Sequence, residues 1–80
     1  MTNFSHLKIG EQARVVGFSS TTKAYRHKLL SLGLTRGVVF EVIRVAPLGD
    51  PVEIKVRGMH LSLRREEAAG LLVEKVSHAA

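Results

Sequence analysis

The chain contains no cysteine and no tryptophan, only two prolines, and few aromatic residues of any kind: one tyrosine and three phenylalanines among 80 residues. Without cysteine there is no disulfide, no thiolate metal ligand and no cysteine nucleophile. A chain of this length buries only about 60% of its unfolded surface, so it depends on a compact apolar core. The shortage of aromatic rings leaves little with which to build a base-stacking surface. No apolar run approaches the roughly 18 residues of a membrane span. The opening MTNFSHLKIG lacks the basic start and apolar centre of a signal peptide. The expectation is one small cytoplasmic domain over residues 1–80, not membrane-spanning, with its core between about residues 7 and 76 and with fraying ends at Met1–Ser5 and Ser77–Ala80.

What the chain has in excess is positive charge. Twelve Lys and Arg face seven Asp and Glu, a formal net charge of +5. Nucleic acid, an anionic membrane face and an acidic protein are all compatible with that balance, and charge alone does not choose among them.

Hydrophobic periodicity places the elements. ARVVGF (13–18) reads as a first strand, with Gly17 at a bulge or close approach. The hydroxyl-rich SSTT (19–22) offers helix N-caps. KAYRHKLLSLG (23–33) reads as a helix whose Tyr25, Leu29 and Leu32 face the core at i, i+4, i+7. Gly33 stands where a left-handed C-terminal cap belongs, with Leu34 folding back on the last turn. VVFEVIRVA (38–46), VEIKVR (52–57), HLSL (60–63) and LLVEKV (71–76) read as four further strands. Gly58-Met59 reads as a short connection, and RREEAAG (64–70) as a helical turn. Five short strands, one longer helix and one helical turn predict a mainly β fold. The best match is a small SH3-like antiparallel barrel with the helix inserted after the first strand; a small open α+β sheet is the alternative.

RVAPLGDPVEI (44–54) holds both prolines. Each lacks an amide donor and ends ladder pairing. Gly49 is free to take positive φ, and Asp50 can accept bonds from amides in the turn. On physics alone this is a structured hairpin loop.

The loop has company, however. LKIGEQARVVGF precedes it, KLLSLGLTRG lies directly upstream, and VRG and LSLRREEAAGLLVEKV follow. In this order and spacing, from about Leu7 to Val76, the chain resembles the FeoA family, small cytoplasmic partners of the FeoB ferrous-iron transporter. The resemblance implies the SH3-like barrel already reached from periodicity. It also implies a non-enzymatic accessory role, exerted by protein–protein interaction with FeoB or its GTPase-bearing cytoplasmic region, free of any cofactor and with recruitment to the inner face of the membrane.

The residues themselves do not suggest other chemistry. His6, His27, His60 and His78 form no His-x-x-x-His pair, and none sits near a carboxylate on one predicted helix face, so no metal site is expected. Glu66 and Glu67 are adjacent and are expected to diverge. No GxSxG elbow or phosphate-binding glycine loop is present, so no catalytic role, cofactor or small-molecule substrate is expected.

The helix is distinctive in another way. Lys23, Arg26 and His27 can share one face, with Lys28 adjoining. Leu30 lies about 100° around from Leu29, off the apolar stripe. These features predict a partner-binding surface made of Lys23, Tyr25, Arg26, Lys28 and Leu30, joined by Leu48, Gly49 and Asp50 of the loop. The runner-up function, a small basic nucleic-acid-binding barrel, rests on charge and is weakened by the scarcity of aromatics.

Overall fold

The computed structural model describes residues 2–19 and 23–76. Nine elements follow one another: β1 (Thr2–Asn3), a 3₁₀ turn (Phe4–His6), β2 (Gln12–Phe18), α1 (Lys23–Ser31), β3 (Val39–Val45), β4 (Val52–Val56), β5 (Met59–Leu63), α2 (Arg65–Ala68) and β6 (Leu71–Lys75). The strands form one sheet in the order β1-β6-β2-β3-β4-β5, with every neighbouring pair antiparallel.

Two bulges bend this sheet. One lies between Val15 and Gly17 of β2, the other between Val42 and Arg44 of β3. An extra residue on one strand kinks it and increases the local twist, so the sheet curls around its own apolar face. The alternation of β4 holds: Val52, Ile54 and Val56 are buried, while Glu53 and Lys55 point away. Phe40, Val42, Leu63, Leu71, Val15 and Val73 join Ile54 in the core.

The helix α1 closes the core with Leu29, which is fully buried, and Leu32 packs at its margin. Its end follows from two residues. Gly33 has φ +93°. Its amide bonds the Leu30 carbonyl at 3.0 Å, and the Leu34 amide bonds the Leu29 carbonyl at 3.0 Å. This is a Schellman cap, in which glycine accepts the left-handed conformation and the next apolar residue folds back. Leu34 is fully buried as a result. Of the expected N-cap residues only Ser19 is among the described residues; Ser20, Thr21 and Thr22 lie outside them, as do Ser77–Ala80.

Two sequence expectations need correction. Of the N-terminal residues expected to fray, Met1 lies outside the described residues and Thr2–Phe4 are tied down: β1 pairs with β6, and Phe4 is 3% exposed, its ring stacked on Phe40 at a centroid separation of 5.9 Å. An aromatic anchor outweighs a polar surrounding sequence. The connection read at Gly58-Met59 is Arg57-Gly58, because Met59 already pairs with Val56. Arg57 and Gly58 both have positive φ, 52° and 80°, as a two-residue hairpin turn of this hand requires. Ile9, apolar in sequence, is 62% exposed in the turn before β2.

Candidate interaction surface

One face of α1 carries Lys23, Arg26, His27 and Leu30, spaced i, i+3, i+4 and i+7. Together they line a shallow depression of about 190 Å³. Leu30 is 40% exposed within it. The Arg26 guanidinium lies over the Phe18 ring, 5.7 Å from its centroid, where cation and ring face attract. Phe18 itself packs against the core, so Arg26 stands on a fixed platform.

Tyr25 and Lys28, expected on the same surface, also make contacts within the chain. The Tyr25 hydroxyl donates to Glu66 Oε1 at 2.8 Å, and Lys28 Nζ pairs with Glu67 Oε2. The two glutamates expected to diverge therefore both reach α1 from α2. They can do so because α1 offers partners one turn apart, at positions 25 and 28. The bond to Glu66 raises the Tyr25 hydroxyl above its usual range. The Lys28 ammonium, followed by the Arg64 amide, holds Glu67 below the usual carboxylate range. That amide donates to Glu67 Oε1 at 3.1 Å, so one carboxylate both caps α2 and fastens it to α1.

The loop between β3 and β4 is closed by two backbone bonds, Gly49 N–H to the Ala46 carbonyl at 2.7 Å and Ala46 N–H to the Pro51 carbonyl at 3.1 Å. The Asp50–Pro51 peptide bond is cis, and Gly49 has φ +87°. Leu48, at the tip, is 97% exposed. Asp50 was expected to accept from its own turn. Instead its Oδ1 accepts from the Arg65 amide at 3.0 Å, and Arg65 Nε donates to the Gly49 carbonyl. Arg65 opens α2, where the amide has no partner within the helix, and the loop carboxylate supplies one. The four-residue helix α2 thus grips both candidate surfaces, the loop through Arg65 and α1 through Glu66 and Glu67. Sequence reasoning missed this role, since Arg65, Glu66 and Glu67 act across 16, 41 and 39 residues and leave no local periodicity.

Elsewhere the surface is mixed in sign. Glu41 and Lys55 face each other across β3 and β4. With Gln12, Val39 and Arg57 they line a second depression of about 260 Å³. His60 Nδ1 lies 2.8 Å from Glu53 Oε2. Among the described residues no three His, Asp or Glu gather where one ion would sit, and no polar or charged residue is buried. No described helix is long and apolar enough to cross a membrane.

The class is that of a small SH3-like barrel. FeoA of Stenotrophomonas maltophilia, described as a procaryotic SH3 domain protein, superposes with a TM-score of 0.79 over 92% of this chain and 91% of its own; at 23% identity that likeness concerns the fold alone. Closer similarity is found in sequence. The FeoA domain model matches residues 2–75. The FeoA protein of Chlorobium tepidum is 42% identical, with a TM-score of 0.85 over 95% of this chain and 71% of that one. A Fe(2+) transport protein A/Fe(2+) transporter FeoB fusion protein of Porphyromonas gingivalis is 37% identical over 73 residues, 91% of this chain. The chain spans only 8% of that fusion protein's length. The chain belongs to the FeoA family, which is associated with ferrous-iron transport.

Proposed function

We propose that this chain is a cytoplasmic accessory protein of ferrous-iron uptake that binds a FeoB-type transporter on its cytoplasmic, GTPase-bearing side and regulates it without catalysing a reaction. The observation that carries this reading is the fusion relative, in which a segment similar to this chain is joined to Fe(2+) transporter FeoB in one polypeptide. Joining two partners covalently raises their effective concentration for one another, an arrangement suited to units that act in contact. The binding surface is formed from Lys23, Arg26 and Leu30 of α1 and from Leu48, Gly49 and Asp50 of the loop, with Tyr25 and Lys28 holding α1 in position.

The nucleic-acid reading has the +5 charge in its favour. Against it, the ring beside the basic face, Phe18, already lies under Arg26, so it offers no open platform for a base.

The test is direct binding. The purified chain is titrated onto detergent-solubilised transporter, with and without nuclease treatment. Saturable binding that survives nuclease supports the proposal. Failure to bind the transporter, together with tight binding to an oligonucleotide that weakens steeply with salt, overturns it.

A further inference from the structure

We infer that the depression on α1 receives an acidic segment of the partner that carries one apolar side chain, with Leu30 as the apolar floor, Lys23 and Arg26 as the charged rim and His27 beside them. This rests on the proposed transporter reading for the identity of the partner, but its chemistry comes from the face itself.

α1 contains no acidic residue. The glutamates nearest to it, Glu66 and Glu67, are engaged by Tyr25 and Lys28. The other ion pairs join Arg14 to Glu74, Lys75 to Glu11 and His60 to Glu53. No acidic side chain of the described residues pairs with Lys23, Arg26 or His27, so the rim keeps its positive field. Other exposed cations, such as Lys55 and Arg57, share their depression with Glu41 and would not select for sign.

The floor decides between classes of anionic partner. An exposed leucine on the same face as the cations Lys23 and Arg26 matches an apolar side chain flanked by carboxylates; such an anchor contributes affinity while the charges give steering and register. A phosphate backbone would make the charged contacts and leave Leu30 unused. Arg26 is already held over Phe18, so less side-chain freedom is lost when a partner is bound.

Two probes test this. The first is a short synthetic peptide of glutamates with leucine at every fourth position, together with a control carrying serine for leucine, each titrated into the ¹⁵N-labelled chain. The second is the solubilised FeoB-type transporter, titrated with wild type, Leu30→Ser, Lys23→Glu/Arg26→Glu, and Lys55→Glu as a charge control on β4. The leucine peptide is expected to shift amide signals in residues 23–30, and the serine peptide to do so much less. The Leu30 and Lys23/Arg26 variants are expected to bind the transporter at least about tenfold more weakly, and Lys55→Glu like wild type. Folding of each variant is checked by its amide spectrum. Undiminished transporter binding by both groove variants overturns the inference and leaves the proposed function standing. Peptide binding in the groove with no transporter binding keeps the inference and sinks the partner. Where the probes disagree and the transporter binds, the transporter decides. A thymidine oligonucleotide that occupies residues 23–30 more tightly than the leucine peptide also overturns the inference.

Discussion

The backbone amide of Arg65 donates to the Asp50 carboxylate at 3.0 Å, across fifteen residues of chain. That bond, with the one from Arg65 Nε to the Gly49 carbonyl, makes the loop tip an extension of α2. Asp50→Ala is expected to cost about 1 kcal/mol, the net worth of a typical hydrogen bond, here an exposed one. Its larger effect should be on mobility: amide order parameters at Leu48 and Gly49 should fall while those of β3 and β4 stay unchanged. Equal order in mutant and wild type would show that the backbone bonds of the loop suffice.

Gly33→Val places a β-branched residue at φ +93°, where no neighbouring atom blocks a Cβ and the cost is therefore in the backbone. The expected loss is about 1 kcal/mol or more, read as a lower denaturant midpoint at constant slope. An unchanged midpoint would mean that the cap bonds of Gly33 and Leu34 contribute nothing net.

Phe4→Ala removes a ring that is 3% exposed and stacked on Phe40. A loss of about 3–5 kcal/mol is expected from comparable core truncations. That is a large share of the roughly 5–15 kcal/mol that holds a small domain folded. Chemical denaturation measures it directly; a loss below about 1 kcal/mol would mean that the N-terminal turn is dispensable.

Lys28→Glu sets a third carboxylate against Glu66 and Glu67, whereas Lys23→Glu meets no acidic neighbour among the described residues. The first should lower stability by about 1 kcal/mol, from the lost pair and the new repulsion. The second should leave stability near wild type. Thermal melts of the two single variants compare them at identical net charge.

The response to pH follows from the same contacts. Glu67 is held below the usual carboxylate range by Lys28 and then by the Arg64 amide, and Glu11 by the Lys8 amide and then Lys75. A group whose folded value is lowered stabilises the fold above its unfolded value and loses that contribution as pH falls through the folded one. Tyr25 is raised by Glu66, so its contribution is complete below the ordinary tyrosine value and is lost as pH rises through the folded one. The melting temperature should therefore be flat through neutrality and decline at both extremes. Glu67→Gln should flatten the acid limb and Tyr25→Phe the alkaline limb. Limbs identical to wild type in these variants would assign the declines to other groups.

Much of this architecture is legible in the sequence because the interactions that build it are local. The alternation in 52–56 marks the buried side of β4, and the Gly33-Leu34 pair marks the end of α1. The family resemblance rests on motifs in a fixed order, and a domain match over residues 2–75 supports it. Phe4 was not legible as an anchor, since its partner Phe40 is distant in sequence and its neighbours are polar. Arg57 gave no sign of a left-handed turn, because arginine rarely adopts one. The candidate surface was half visible. The spacing of Lys23, Arg26, His27 and Leu30 is a helical pattern anyone can count, but the engagement of Tyr25 and Lys28 by α2 depends on tertiary structure alone.

The order of strands in the sheet also governs when the fold can close. Among the described residues β1 pairs only with β6, Thr2 against Val73 and Asn3 against Leu72. β1 is therefore synthesised long before the strand it pairs with. Until residues 71–75 emerge, the amides of β1 have no ladder and β2 has only β3 beside it. Pairings of such long sequence separation carry a loop-closure cost before they return any stabilisation. A nascent chain halted before β6 should remain open to protease through β1 and β2, and protection should arrive in one step with β6.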